Sequence, residues 1–448
     1  MSKPPKTDHR QSELFRNRLS SQLNPHHPLM MLEKQIRWDV FETAFSSLYV
    51  AEAGHPPKPI RLMVGLVMLQ HKEGLSDEQA VAKWVENPYW QYFCGYDYLQ
   101  WEFPIHPSSL TRWRQRLGEK GIEKILQETI HTALLSGTVQ EKDLEKVIAD
   151  TTVMEKAIAH PTDSKLLAKA LEKLVSMAKK EGLVLRQTYK RVGKKAQIMA
   201  GRYGHAGQFK RMKKQVKKLK VYVGRVVRDM ERKIVDSQSV SQKLTETLEL
   251  AKRLLTQTKE SKNKLYSLHE PAVECIGKGK ANKRYEFGCK VSLAVTHKQG
   301  LVISSQAMHG NPYDGHTLKG TIEKAQELTG KIIRQAFVDK GYKKHDVETT
   351  EVFMTGSRKL SRSLRKALKR RSAIEPHIGH MKNDGKLGRN YLKGVLGDKL
   401  NALLTAVGHN LRLILNHIMH LFVCILVNLI AVLCALLSHK RKQPLITT

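Results

Sequence analysis

The chain is poor in cysteine and in acid. Its 448 residues include five cysteines, Cys94, Cys275, Cys289, Cys424 and Cys434, an odd number with no CxxC pair. That count and spacing speak against a disulfide framework and against a zinc knuckle, and make a reducing cytoplasm the simplest compartment. Asp and Glu number 42 against 77 Lys and Arg, a formal charge of +35. An excess of that size drives a compact chain apart unless a polyanion offsets it. Nucleic acid does so with release of counterions. A secretory signal is also missing, because the start, MSKPPKTDHRQSE, is polar and charged. Long apolar runs are scarce, and one stands out, Ile418 to Leu437, followed by His439, Lys440, Arg441 and Lys442. Its length alone qualifies it as a membrane span. His420 and Asn428 weaken that reading, and a C-terminal helix buried in the core, or a tail altered by a frameshift or an element border, is the favoured alternative. The hydrophobic fraction of 41% still permits a sizeable core, and the length permits about two to four domains.

Residues 1–28 read as a polar, disordered tail. Residues 29–120 read as a small all-helical, helix-turn-helix-like DNA-binding domain. Ser76 with Gln79 has capping-box spacing, and Ser108 is expected to cap a helix bearing Arg112, Trp113, Arg114 and Arg116. Short helices ending in a capped, Arg-rich helix suit a major-groove reader, with Arg112 and Arg114 as DNA contacts. Equally open is a basic surface helix with Trp113 turned into the core. Between about residues 160 and 260 Leu, Ala, Lys, Arg and Glu dominate at helical spacing. Gly201 to Gly207 splits this block into two or more helices. Its centre carries Lys213, Lys214, Lys217 and Lys218, a run able to track a phosphate backbone or to remain a solvated face.

Strand signals flank this block. Val147 to Val153 is a β-branched run around Asp150, and strands are expected over 285–296, 301–308, 332–339 and 352–354, with a helix over 314–328. With the helical block removed, the order fits a ribonuclease H-like α/β core, a mixed sheet with flanking helices. That core occupies 121–415, leaving 416–448 as the apolar helix and basic tail. Asp314 and His316, in a polar turn near the acids, are candidates to assist catalysis, but a capped helix start explains Asp314 more simply.

Three acids stand out in so basic a chain. Asp150 lies mid-strand, Asp339 ends a strand, and Glu375 starts a helix within reach of Arg371 and Lys382. Each alone is more simply a salt-bridged structural acid. Together they suit phosphodiester chemistry on two divalent ions about 4 Å apart. Hard Mg²⁺ or Mn²⁺ takes carboxylate oxygen rather than Cys or His. His377 and His380 lack an acid partner at zinc-site spacing.

The run Arg371-Ser372-Ala373-Ile374-Glu375-Pro376-His377-Ile378-Gly379-His380-Met381-Lys382 resembles the R-x3-E-x6-K signature of bacterial insertion-sequence transposases. Leu387 to Gly394, with Gly397-Asp398, resembles the insertion-sequence-five family in particular. So do His106 to Arg114, Leu75 to Glu78 before Asn87-Pro88, Val338 to Tyr342, and Ala149 to Val153. Leu368 stands where the fuller signature has Tyr. The resemblance covers about residues 30 to 415 and implies a DDE transposase with Asp150, Asp339 and Glu375 as catalytic metal ligands. It places Arg371 and Lys382 on DNA phosphates near the scissile bond. It implies metal-dependent cleavage at terminal inverted repeats and transfer of 3′-hydroxyl ends into target DNA. Double-stranded DNA as partner, a homodimer that pairs two ends, and a nucleoid-associated cytoplasmic location follow. Competing readings are a catalytically silent DNA-binding derivative, a nuclease without strand transfer, and a membrane-anchored basic protein.

Overall fold

In the computed structural model, residues 17–49, 57–235, 241–258, 260–277, 284–357 and 360–440 are described. Helices α1 (Leu19–Gln22), α2 (Pro28–Gln35), α3 (Trp38–Phe45), α4 (Ile60–Glu73), α5 (Asp77–Glu86), α6 (Pro88–Phe93) and α7 (Ser108–Leu135) come first. Helix α1 and the start of α2 replace part of the expected disordered tail, because Leu19 is buried against the helices. The remainder of that tail, residues 1–16, lies outside the described residues. The capping box forms as the spacing demands: Gln79 N–H donates to Ser76 Oγ at 3.2 Å and Ser76 N–H to Gln79 Oε1 at 3.0 Å. Ser108 does not cap α7. It is the first helical residue, and its own N–H donates to His106 Nδ1 at 3.2 Å. Helix α7 continues past the expected boundary near 120, with one non-helical residue at Gly118 (φ 61).

Strand β1 (Lys146–Glu155) leads into four helices: α8 (Asp163–Lys180), α9 (Lys190–His205), α10 (Phe209–Val235) and α11 (Gln242–Thr256). These have a hydrophobic core of their own, built around Leu167, Leu174, Leu219, Val223 and Leu248. The chain returns as β2 (Glu274–Gly277), β3 (Tyr285–Thr296) and β4 (Val302–Met308). It continues through α12 (Asp314–Thr329), β5 (Gln335–Val338), β6 (Glu351–Met354), α13 (Arg362–Lys369), α14 (Ile374–Asn383) and α15 (Gly394–Lys440). The strands form a six-stranded mixed sheet in the order β2-β3-β1-β5-β6, with β4 also paired to β3. β1 runs antiparallel to β3 and parallel to β5, and β5 runs parallel to β6.

Helix α15 runs between the sheet and the N-terminal helices, and residues 400–411 along it are all buried. Asn410 occupies the crossing. Its Oδ1 accepts from Val302 N–H at 2.8 Å, while its Nδ2 donates to Val302 O at 2.8 Å and to Thr129 Oγ1 at 3.1 Å. One side chain thus pairs with the edge of β4 as a strand would. Gly408 lets α15 approach the end of α4, since a Cβ there would overlap the backbone of His71 and Lys72. The apolar run 418–437 is the continuation of α15. From residue 431 onward its side chains lie outside the described residues, as do Arg441 and Lys442. Among the described residues no helix is long and apolar enough to cross a membrane.

Gly408→Ala should force α15 and α4 apart and lower unfolding free energy by about 2 kcal/mol. Urea denaturation checks this, and an unchanged midpoint would remove Gly408 as a packing constraint.

Candidate active site

The parallel register aligns Ile148 with Phe337. Continued two residues, it brings Asp150 alongside Asp339, where β5 ends. Each carboxylate is oriented by the following amide: Thr151 N–H donates to Asp150 Oδ1 at 2.7 Å, and Lys340 N–H to Asp339 Oδ1 at 2.7 Å. Glu375 is the second residue of α14 and is exposed. Arg371, only 14% exposed, joins the helix to the strand. Its Nη1 lies 3.6 Å from Asp150 Oδ2 and its Nη2 3.5 Å from Glu375 Oε1. Lys382 lies two turns further along α14 and is half-buried.

What holds α14 here is its contact with the β3–β4 turn. Gly300 has φ 75, and a Cβ on it would overlap the His377 ring. The His377 ring meets that of His409 edge-on at 5.3 Å, and His409 Nε2 is 3.1 Å from Gly300 O. Burial first, and then repulsion from His377 when it is protonated and from Arg412, push the His409 imidazole down to about 3. His377 is lowered by burial too. His380 points elsewhere, with Nδ1 2.7 Å from Asp384 Oδ2.

Two further groups belong to this site. Asp314 does not cap its helix, because Tyr313 holds the cap position. Its Oδ1 accepts from Thr151 Oγ1 at 2.9 Å and from Lys290 Nζ at 3.0 Å. Tyr342 is buried beneath the acids, and burial, then Asp150, Asp314 and Asp339, hold its phenol well above its ordinary range. Sequence reasoning missed its placement, although the Val338–Tyr342 run contains it. No local signal marks Asp314 as a neighbour of Thr151, 163 positions away.

The donor set at the three acids is all carboxylate oxygen, which suits a hard divalent ion. A cation, the Arg371 guanidinium, already spans two of the three. The donors therefore fit a hard divalent ion, although the three acids do not all lie within 4.8 Å of one another.

The expected DNA contacts separate into two groups. Lys213, Lys214, Lys217 and Lys218 are all exposed on α10, opposite the buried Leu219 and Val223. Arg112 is exposed as well. Arg114 is a correction. It is 3% exposed, and its guanidinium donates to Asp77 Oδ2 at 2.6 Å and Gln70 Oε1 at 3.2 Å. It shares the inward stripe of α7 with Leu110, Trp113 and Leu117, so a phosphate cannot reach it. Burial would raise the Asp77 carboxyl, but the hydrogen bond and charge of Arg114 outweigh it and hold it below its usual value.

With this geometry in view, two family matches bear on the chain. Residues 17–116 match the family described as Transposase domain (DUF772), and residues 228–411 match Transposase DDE domain. Asp339 and Glu375 fall within the second match, and Asp150 falls between the two. The chain is also 48% identical over 207 residues to "Uncharacterized protein ORF8 in nfe locus" of Rhizobium meliloti, covering 46% of this chain and all of that protein. No solved structure matches. The chain belongs to the DDE-type insertion-sequence transposases. DDE transposase domains use divalent metal ions, and the family binds DNA.

Neutral in the fold and protonated when unfolded, His409 contributes stability that is complete above its unfolded pKa of about 6.5. That stability is lost as pH falls towards its folded value of about 3, at ~1.4 kcal/mol per pH unit. His409→Asn should flatten the loss between pH 6.5 and 4.5 in denaturation experiments, and an unaltered slope would assign the acid sensitivity elsewhere. Arg114→Met should cost about 3 kcal/mol by stranding Asp77, while Arg112→Ala should weaken DNA binding without loss of stability. Equal DNA-binding defects at both positions would contradict this division.

Proposed function

We propose that this transposase binds the terminal inverted repeats of its element, hydrolyses the phosphodiester at each end and transfers the freed 3′-hydroxyls into target DNA. The observation that carries the reading is the β1–β5 register, which sets Asp150 alongside Asp339, together with Arg371, which lies between Asp150 and Glu375. Asp150, Asp339 and Glu375 would hold Mg²⁺ or Mn²⁺. When bound, the ion supplies Lewis acidity at the attacking and leaving oxygens. Arg371 then exchanges a carboxylate partner for a DNA phosphate, to which a guanidinium binds bidentately. Lys382 extends that contact along α14. Asp314 keeps Lys290 and Thr151 in place beside Asp150. No protein nucleophile is required, so no covalent protein–DNA intermediate forms.

The strand order, a β4-β3-β1 antiparallel set continued by parallel β5 and β6, supports a ribonuclease H-like core over 121–415 with the helical insertion at about 160–260. Residues 29–120 serve as the DNA-binding domain, with Arg112 towards the groove. The lysines of α10 track the backbone, which makes binding steeply salt-dependent. Two ends must be cut together, so the working form is a homodimer on nucleoid DNA.

Linear DNA bearing the element's own ends tests this directly. With Mg²⁺, the native chain should nick and join these ends, and Glu375→Gln should lower the rate at least about 100-fold while leaving end binding within about twofold. Tight binding without cleavage by either protein would instead favour the silent DNA-binding derivative.

A further inference from the structure

A second cluster of ligating side chains lies away from the three acids. β3 pairs with β4 so that Lys290 faces Met308, which sets Cys289 beside His309. Asp398 reaches them from the first turns of α15. Cys289 Sγ is 3.7 Å from His309 Nε2, and His309 Nε2 is 3.6 Å from Asp398 Oδ2. Ligand atoms of all three residues lie within 4.8 Å of one another. Metal bonds of about 2.0–2.3 Å give a tetrahedral site edges of roughly 3.3–3.8 Å. Both measured separations fall in that range.

The surroundings match a metal site as well. His309 turns its other nitrogen, Nδ1, towards Glu274 Oε1 at 3.8 Å. At that separation Glu274 is a charge partner rather than a hydrogen-bond acceptor, on the side from which a carboxylate commonly orients a ligating histidine. Asp398 is fixed through its other oxygen: Oδ1 accepts from Lys156 Nζ at 2.7 Å and from Asn390 Nδ2 at 2.7 Å. Oδ2 is thereby presented to His309. Lys156 also lies 3.2 Å from Glu270 Oε2, and the Lys156 and Glu270 side chains are 3% and 5% exposed. One ammonium therefore serves two buried carboxylates, Glu270 and Asp398, with the Cys289 thiol and Glu274 close by, in a strongly basic chain. Uncompensated buried charge is costly, and a divalent cation removes that excess.

We propose that Cys289, His309 and Asp398 bind one zinc ion. The thiolate and imidazole select a borderline-soft metal, unlike the all-oxygen acids of the active site. Three protein ligands leave one position for water. The thiol proton is released to solvent on binding. The ion clips the ends of β3 and β4 to the start of α15, independently of any DNA chemistry.

The full-length chain, stripped with chelator, is titrated with Co²⁺ as a spectroscopic probe. One equivalent should produce a thiolate-to-cobalt charge-transfer band and tetrahedral ligand-field bands. Zn²⁺ should displace them, and excess Mg²⁺ should not. Cys289→Ala should lose the charge-transfer band and Asp150→Asn should keep it. Glu274→Gln should weaken zinc affinity about tenfold. Absence of saturable Co²⁺ binding by the native chain, which requires no variant, overturns the site. So does a charge-transfer band that survives in Cys289→Ala.

Discussion

The burial of α15 is the constraint from which the arrangement of the site descends. A helix that runs between a sheet and a layer of helices must satisfy both neighbours at once. Asn410 does so by hydrogen bonding to β4 and to Thr129 on α7. A side-chain amide there takes the place of strand pairing at Val302, whose edge-facing backbone groups would otherwise be unpaired. The same helix carries His409, which supports Gly300 and His377 and through them the helix of Glu375.

Electrostatics of this chain run opposite to the usual pattern. In a protein with a charge of +35, carboxylates are the scarce resource, and the structure spends them inward. Asp77 neutralises a buried guanidinium, Asp229 is buried between Arg and Lys side chains, and Asp398 neutralises a buried ammonium. The exposed faces of α9 and α10 are left to lysine and arginine. Excess positive charge is thus concentrated where a polyanion can reach it, and Arg371 is held between two acids, Asp150 and Glu375.

Much of this was legible in the residues. Long strands with strong β-branched content, β1, β3 and β4, lie where their composition indicates, and the four-helix block follows its periodicity. Asp150 and Asp339 stand out because each interrupts or ends an apolar run, and Glu375 because it lies between Arg371 and Lys382 at a helix start, in the R-x3-E-x6-K run. Short elements were harder. β2 has four residues, too few for its own pattern to mark it, and takes shape on pairing to β3. The expected strand over 332–339 contracts to four residues. Arg114 was misassigned although the signal existed: Leu110, Trp113, Arg114 and Leu117 follow the i, i+3, i+4, i+7 spacing of a buried stripe. Cys289, His309 and Asp398 have no such signal, because only the register of β3 with β4 and the docking of α15 bring them together.

The separate core of α8 to α11 bears on how the site comes to exist at all. Strand β1, with Asp150, must find β3 across residues 156–287, and those strands are sheet neighbours. As a flexible loop of about 130 residues this closure costs several kcal/mol of chain entropy, growing with the logarithm of length. A segment that packs around its own Leu and Val side chains is shorter, end to end, than a flexible loop of the same length, and so lowers that cost. The arm then acts as an internal splint, shortening the search that joins the first acid to the other two.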